Sequence, residues 1–105
     1  MVKFNYDQEW DILYVHKNGE KVKFSIEALE NFVIDIGMKG QVVGLEIQNA
    51  SKVLKVPKSQ LSEVRSAKIS TFVRGRLYGV LYSLQLNKIK IESELQMPVD
   101  VRIKA

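Results

Sequence analysis

Apolar and polar residues alternate with a period near two through most of this chain. That spacing is the mark of strands with one face turned to a core. Ile12, Tyr14 and His16 interleave with Leu13, Val15 and Lys17. Asn18-Gly19 follows, and then Val22, Phe24 and Ile26 interleave with Lys21, Lys23 and Ser25. An Asn-Gly pair between two alternating runs predicts a hairpin closed by a type I′ turn, because both central positions of that turn need positive φ. A second hairpin is predicted from Phe32, Ile34 and Ile36, through Gly37-Met38-Lys39-Gly40, into Gln41–Gln48. This last run is apolar enough to be packed on both faces. Gly44 inside it predicts a bulge or a close backbone approach.

The period changes after Gln48. Asn49 to Leu54 can open a helical turn, which Val56-Pro57 ends because a residue before proline avoids the helical region. Pro57 can then start a short helix over roughly Lys58 to Ser66, with Leu61 and Val64 inward. Alternation returns at Ala67–Val73, bends at Arg74-Gly75-Arg76, and continues through Leu77–Leu86, Ile89–Leu95 and Val99–Ile103. The expected class is α+β, predominantly antiparallel β. It has two N-terminal hairpins, one or two short helices, then C-terminal antiparallel strands.

A length of 105 residues with no repeat and no linker predicts one domain over 1–105. The absence of cysteine removes disulfides, thiolate metal sites and thiol nucleophiles, and it fits a reducing cytoplasm. The N-terminus shows no apolar signal-peptide core, and no apolar run reaches the length of a spanning helix, so a cytoplasmic protein with no membrane partner is expected. Charge is unevenly divided. Residues 1–50 carry 5 basic and 8 acidic side chains, and residues 51–105 carry 11 and 4, so the halves stand at −3 and +7. Such polarity suits head-to-tail self-association or an acidic partner for the second half.

Tyr6-Asp7, Glu9, Asp11 and Leu13-Tyr14-Val15, followed by Gly40, Val42-Val43-Gly44, Glu46-Ile47 and Ala50-Ser51, form a spaced pattern. It resembles the uncharacterised prokaryotic family known as domain of unknown function 2283, over residues 6–54. Trp10 and Leu45 depart from the family pattern, both by apolar exchange. The resemblance implies a compact β-rich unit without assigned catalytic residues, and an antitoxin-like binding role. It is silent on residues 55–105, which read as a C-terminal extension of the same domain.

Candidate chemistry is sparse. Asp7, Glu9 and Asp11, with Glu46, can hold a hard cation if the strand is extended there, although hydrogen bonding to turn amides explains them as well. His16 is the sole histidine and has no partner for a triad or a histidine metal site. Ser51 lacks a nucleophile-elbow frame and reads as a helix cap. Arg74-Gly75-Arg76-Leu77-Tyr78-Gly79 lacks the strand–loop–helix setting of a phosphate cradle. No catalytic residue, cofactor or metal is therefore expected, and the chain reads as non-enzymatic.

Two surfaces remain. Lys68, Arg74, Arg76, Lys88 and Lys90 can line one sheet face, with Phe72, Tyr78 and Tyr82 as stacking platforms for nucleic acid. The stretch Leu77–Leu86 is apolar on both phases, with Leu77 and Leu81 on one and Tyr78, Val80, Tyr82, Leu84 and Leu86 on the other. A short chain covers both faces of a long sheet with difficulty. Tyr78, Val80 and Tyr82 are therefore expected to meet a second copy. The leading expectation is a self-associating interaction module, a homodimer open to a further protein partner. Nucleic-acid binding is the alternative, and a carboxylate metal binder or small enzyme is the third.

Overall fold

Two antiparallel sheets carry the chain. The computed structural model describes residues 2–98. In order these are β1 (Val2–Asp7), β2 (Ile12–Lys17), β3 (Val22–Ala28), β4 (Phe32–Gly37), β5 (Val42–Gln48), α1 (Ala50–Leu54), α2 (Lys58–Leu61), β6 (Ser66–Arg74), β7 (Leu77–Gln85) and β8 (Lys90–Pro98). Sheet order is β1-β2-β5-β4-β3 for the first sheet and β6-β7-β8 for the second. The predominantly antiparallel architecture, with strands first and two short helices between, is as the alternation predicts. The expected strand over Val99–Ile103 lies outside the described residues.

The first predicted hairpin does not form. Asn18-Gly19 makes a tight turn, closed by the Glu20 N–H donating to the Lys17 carbonyl at 3.3 Å. Gly19 has φ 83°, but Asn18 is not among the positive-φ residues. One positive φ at the second central position is the type II pattern, which splays strands apart where a type I′ turn would pair them. The chain uses that splay to cross three strand spacings, roughly 14 Å, from β2 to β3 at the far edge of the sheet. β5 then inserts beside β2, pairing Tyr14 with Glu46 and Val15 with Leu45. Strands β2 to β5 thus take a Greek-key order.

The second predicted hairpin, β4 with β5, does form. It carries a register shift beyond Asp35, next to Gly44. The actual N-terminal hairpins include two that no glycine announces. β1 and β2 join through residues 8–11, and β3 and β4 through Leu29-Glu30, with φ 51° and 64°.

Register sets the faces. On one face of the large sheet, Phe32, Ile47, Leu13 and Tyr6 stand in one cross-strand row, and Ile34, Leu45, Val15 and Phe4 in the next. The small sheet lays Ala67, Ile69, Val80, Tyr82, Leu84 and Leu95 over them in a single core. The Phe32 and Tyr82 rings meet at 6.4 Å between centroids, tilted by 49°, a favourable aromatic geometry. Leu61 of α2 and Ala50 of α1 close the core at one side.

Candidate functional site

Polar groups gather in three places, and the first two are closed. Asp11 sits in the β1–β2 turn with φ 55° and is buried. Its carboxylate accepts the Tyr6 hydroxyl at 2.6 Å, the Ser51 N–H at 3.0 Å and the Ser51 hydroxyl at 2.7 Å. Its own carbonyl accepts the Ala50 N–H at 2.9 Å. Burial alone would raise the Asp11 pKa. The hydrogen bonds from Tyr6 and Ser51, with the Lys58 charge, outweigh it and hold the carboxyl below its ordinary range. Burial, then the bond and the charge of Asp11, keep Tyr6 protonated far above the usual phenol range.

Ser51 is therefore not the cap of α1. Asn49 occupies the cap position, its side chain donating to Asn31 at 3.1 Å and making no bond to the helix amides, and Asp11 satisfies the first helical amides from forty residues away. The expected extended row of Asp7, Glu9 and Asp11 is broken by this turn. Asp7 accepts the Trp10 N–H at 3.0 Å, and Glu46 accepts the Gln48 side-chain amide at 3.0 Å. Among the described residues, no group of three or more His, Asp or Glu gathers as a metal site requires.

The second cluster lies on the outer face of the large sheet. Ser25, Asp35, Gly44 and His16 form one cross-strand row. Asp35 accepts the Ser25 hydroxyl at 2.6 Å and the Tyr14 hydroxyl at 2.7 Å. Tyr14 reaches Asp35 because Gly44 has no side chain. A Cβ there would stand 2.6 Å from Asp35 Oδ2 and 3.1 Å from His16 Nδ1. This is the close approach that Gly44 predicts. Burial, then the Asp35 bond and the Asp35 and Glu46 charges, raise the Tyr14 pKa beyond the usual range.

His16 holds the β2–β3 turn. Its Nε2 meets the Glu20 carbonyl at 3.0 Å, and its Nδ1 stands 3.2 Å from the Tyr14 hydroxyl. A carbonyl only accepts, so Nε2 donates to it, while the single Tyr14 hydroxyl proton goes to Asp35 and is not shared with Nδ1. The ring is held through Nε2 and by stacking on Tyr14 at 5.8 Å between centroids. Asp35, a lone acid in an apolar strand opposite a glycine, was the sequence signal for this cluster, and pairing across four strands was needed to read it.

The third place is the open face of the small sheet, and it reverses one expectation. Val80 is 0 % exposed and Tyr82 5 % exposed, both packed toward the large sheet. They are core, not self-association contacts, because the large sheet of the same chain covers that phase of β7. Tyr78 pairs with Val73 in the same ladder. The opposite phase is left open, with Leu81 at 45 % and Leu77 at 38 % exposed. Lys68, Ser70, Ser83, Glu92 and Glu94 surround Leu81 and line a shallow hollow of about 450 Å³.

The five basic residues split. Lys68 and Arg74 are on the outer phase of β6, and Lys90 begins β8. Arg76 and Lys88 sit in turns at opposite ends of the sheet. Arg74 lies 4.8 Å over the Phe72 ring, whose edge lies across Gly79. Lys90 pairs with Glu92 at 3.4 Å. The outer face is therefore basic along β6 and acidic along β8, not uniformly positive.

Residues 3–51 match the family described as "Protein of unknown function (DUF2283)". The resemblance carried by residues 6–54 thus holds over this N-terminal segment, and the match ends where the large sheet hands over to α1. The chain is 47 % identical to an uncharacterised protein of Methanocaldococcus jannaschii over 60 residues, which is 57 % of this chain and 51 % of that protein. It is 29 % identical over 65 residues to a putative hypoxanthine phosphoribosyltransferase of Methanosarcina mazei, covering 62 % of this chain and 52 % of that protein. The chain spans about half the length of these curated relatives. No solved structure matches it. Among the described residues, no helix is long and apolar enough to cross a membrane.

Proposed function

We propose that this protein is a non-catalytic interaction module that self-associates through the outer face of β6-β7-β8 and works in the cytoplasm. One observation carries the reading: Leu77 and Leu81 stand exposed along the middle strand of a face flanked by charged residues. An exposed apolar strip with a polar rim is the anatomy of a protein interface. The engaged state of Asp11, Asp35 and His16 supports a scaffold role for the polar clusters. An antitoxin-like partner, implied by the family resemblance, belongs to the same class. The transferase name of the Methanosarcina relative stays with that protein, since the likeness is distant.

Sedimentation across a concentration series tests the proposal. The wild type is expected to show a mass that rises toward two chains, and Leu81→Asp to remain a monomer with an unchanged circular dichroism spectrum. A wild type that stays monomeric at every concentration ends the reading.

The second reading is single-stranded nucleic-acid binding. Its support is Arg74 stacked on Phe72, with Lys68 on the same phase of β6. It predicts salt-sensitive retardation of an oligonucleotide that Arg74→Ala with Arg76→Ala weakens. Absence of retardation at low salt removes it.

A further inference from the structure

The charge pattern of the open face selects one arrangement of two copies, and we infer that the occupant of this face is a second copy of the chain, related by a two-fold axis parallel to β7. This inference rests on the self-association proposed above and specifies its geometry.

Register supplies the argument. Lys68 on β6, Ser83 on β7 and Glu92 on β8 form one cross-strand row. Ser70, Leu81 and Glu94 form the next outward row. All six belong to the outer face, and Lys68, Ser70, Leu81, Glu92 and Glu94 are exposed there. The β6 and β8 columns lie two strand spacings apart, roughly 10 Å.

An isologous contact must be complementary to itself. A two-fold axis parallel to β7 keeps each row level and exchanges left for right. Lys68 of one copy then faces Glu92 of the other, and the symmetric pair forms at the same time. In the next row Ser70 faces Glu94, a hydroxyl donor against a carboxylate, and Leu81 meets Leu81 on the axis. Stacked sheets stand about 10 Å apart, a gap that an extended lysine and glutamate span together.

Two competing arrangements fail on charge and a third on closure. An in-plane axis crossing the strands at the level of Leu81 lays Glu94 over Glu94. Pairing β8 edge to edge with another β8 brings Glu92 and Glu94 of the two copies together, which is how edge strands are kept from joining. Pairing β6 with a second β8 is not closed and would run on as a filament.

Three strands of nine residues offer a footprint of roughly 400 Å² per copy, about 800 Å² in total and below the range of stable specific interfaces. The dimer is therefore weak and governed by concentration, so that reversing one charge of each pair is enough to shift it.

Charge exchange in the full chain tests this. Lys68→Glu alone and Glu92→Lys alone are each expected to weaken the sedimentation dimer by roughly tenfold. Together they are expected to restore it to within about threefold, since the pair reforms with its signs exchanged. A dimer indifferent to the single changes, or a double variant as weak as the singles, overturns this arrangement while leaving self-association standing. A monomeric wild type fails the earlier proposal itself. If that monomer retards an oligonucleotide, the face belongs to nucleic acid.

Discussion

Asp11 is the residue on which the N-terminal unit hinges. It accepts three hydrogen bonds through its carboxylate and one through its carbonyl, all to groups that would otherwise be left short of partners. Asp11→Ala is expected to cost about 3 kcal/mol, because buried donors lose a charged acceptor. Urea unfolding measures this. Asp11 also couples stability to pH. Its folded pKa lies below the ordinary 3.8, so its contribution is complete above that value and is lost as pH falls through the lower folded one. The Asp11→Asn variant should lose less stability in acid than the wild type between about pH 5 and pH 2. Equal losses would show that Asp11 is not the linked group.

Gly44 is the second such residue. A methyl group there collides with Asp35 and crowds His16. Gly44→Ala should lower stability by about 2 kcal/mol, the scale of overpacking in a filled site. A thermal midpoint unchanged from wild type would mean that Asp35 yields freely. A glycine inside a strand by itself marks a bulge or a close approach at this position. The identity of the group pressing on it belongs to β4, and no local pattern names that.

At the scale of elements, β7 shows what alternation can and cannot say. Its two phases are distinct in the sequence, Leu77 and Leu81 on one and Val80, Tyr82 and Leu84 on the other. Which phase is inward depends on the second sheet. Tyr82→Ala should therefore destabilise the monomer by about 3–4 kcal/mol, as aromatic truncation in a core does. Leu81→Asp should leave stability within about 1 kcal/mol. Chemical unfolding of both variants checks this contrast, and equal destabilisation would place Leu81 in the core. Burial holds the Tyr82 hydroxyl above its ordinary pKa, against an opposing bond from Ser93, as expected of a core tyrosine.

The turns make the same point. Asn18-Gly19 carried the strongest hairpin signal, yet it crosses the sheet, while Leu29-Glu30 closes a hairpin with no glycine at all. A turn's sequence constrains φ. The partner of the strand beyond it is chosen by distant apolar residues.

For the whole molecule, the family-matched segment and the large sheet nearly coincide, residues 3–51 against β1 to β5. The extension is the lid on that sheet's apolar face. A chain cut after Leu54 would uncover Phe32, Ile34, Leu45 and Ile47. It should bind a hydrophobic dye strongly or assemble into larger species, as exposed apolar patches do. A truncated chain that stays monomeric and dye-silent would show that the large sheet does not need its cover.

Steric alternation of side chains is a local property, so the order of apolar and polar residues was enough to mark the strands, their two phases, the helical interlude and the breaks at Gly75 and Pro57. Pairing is a long-range property. β5 lies between β2 and β4, Asp11 caps a helix forty residues on, and β7 turns its tyrosine inward, because burial of apolar surface is decided by what the rest of the chain brings to each face. A period of two labels two sides and leaves their assignment to the packed molecule.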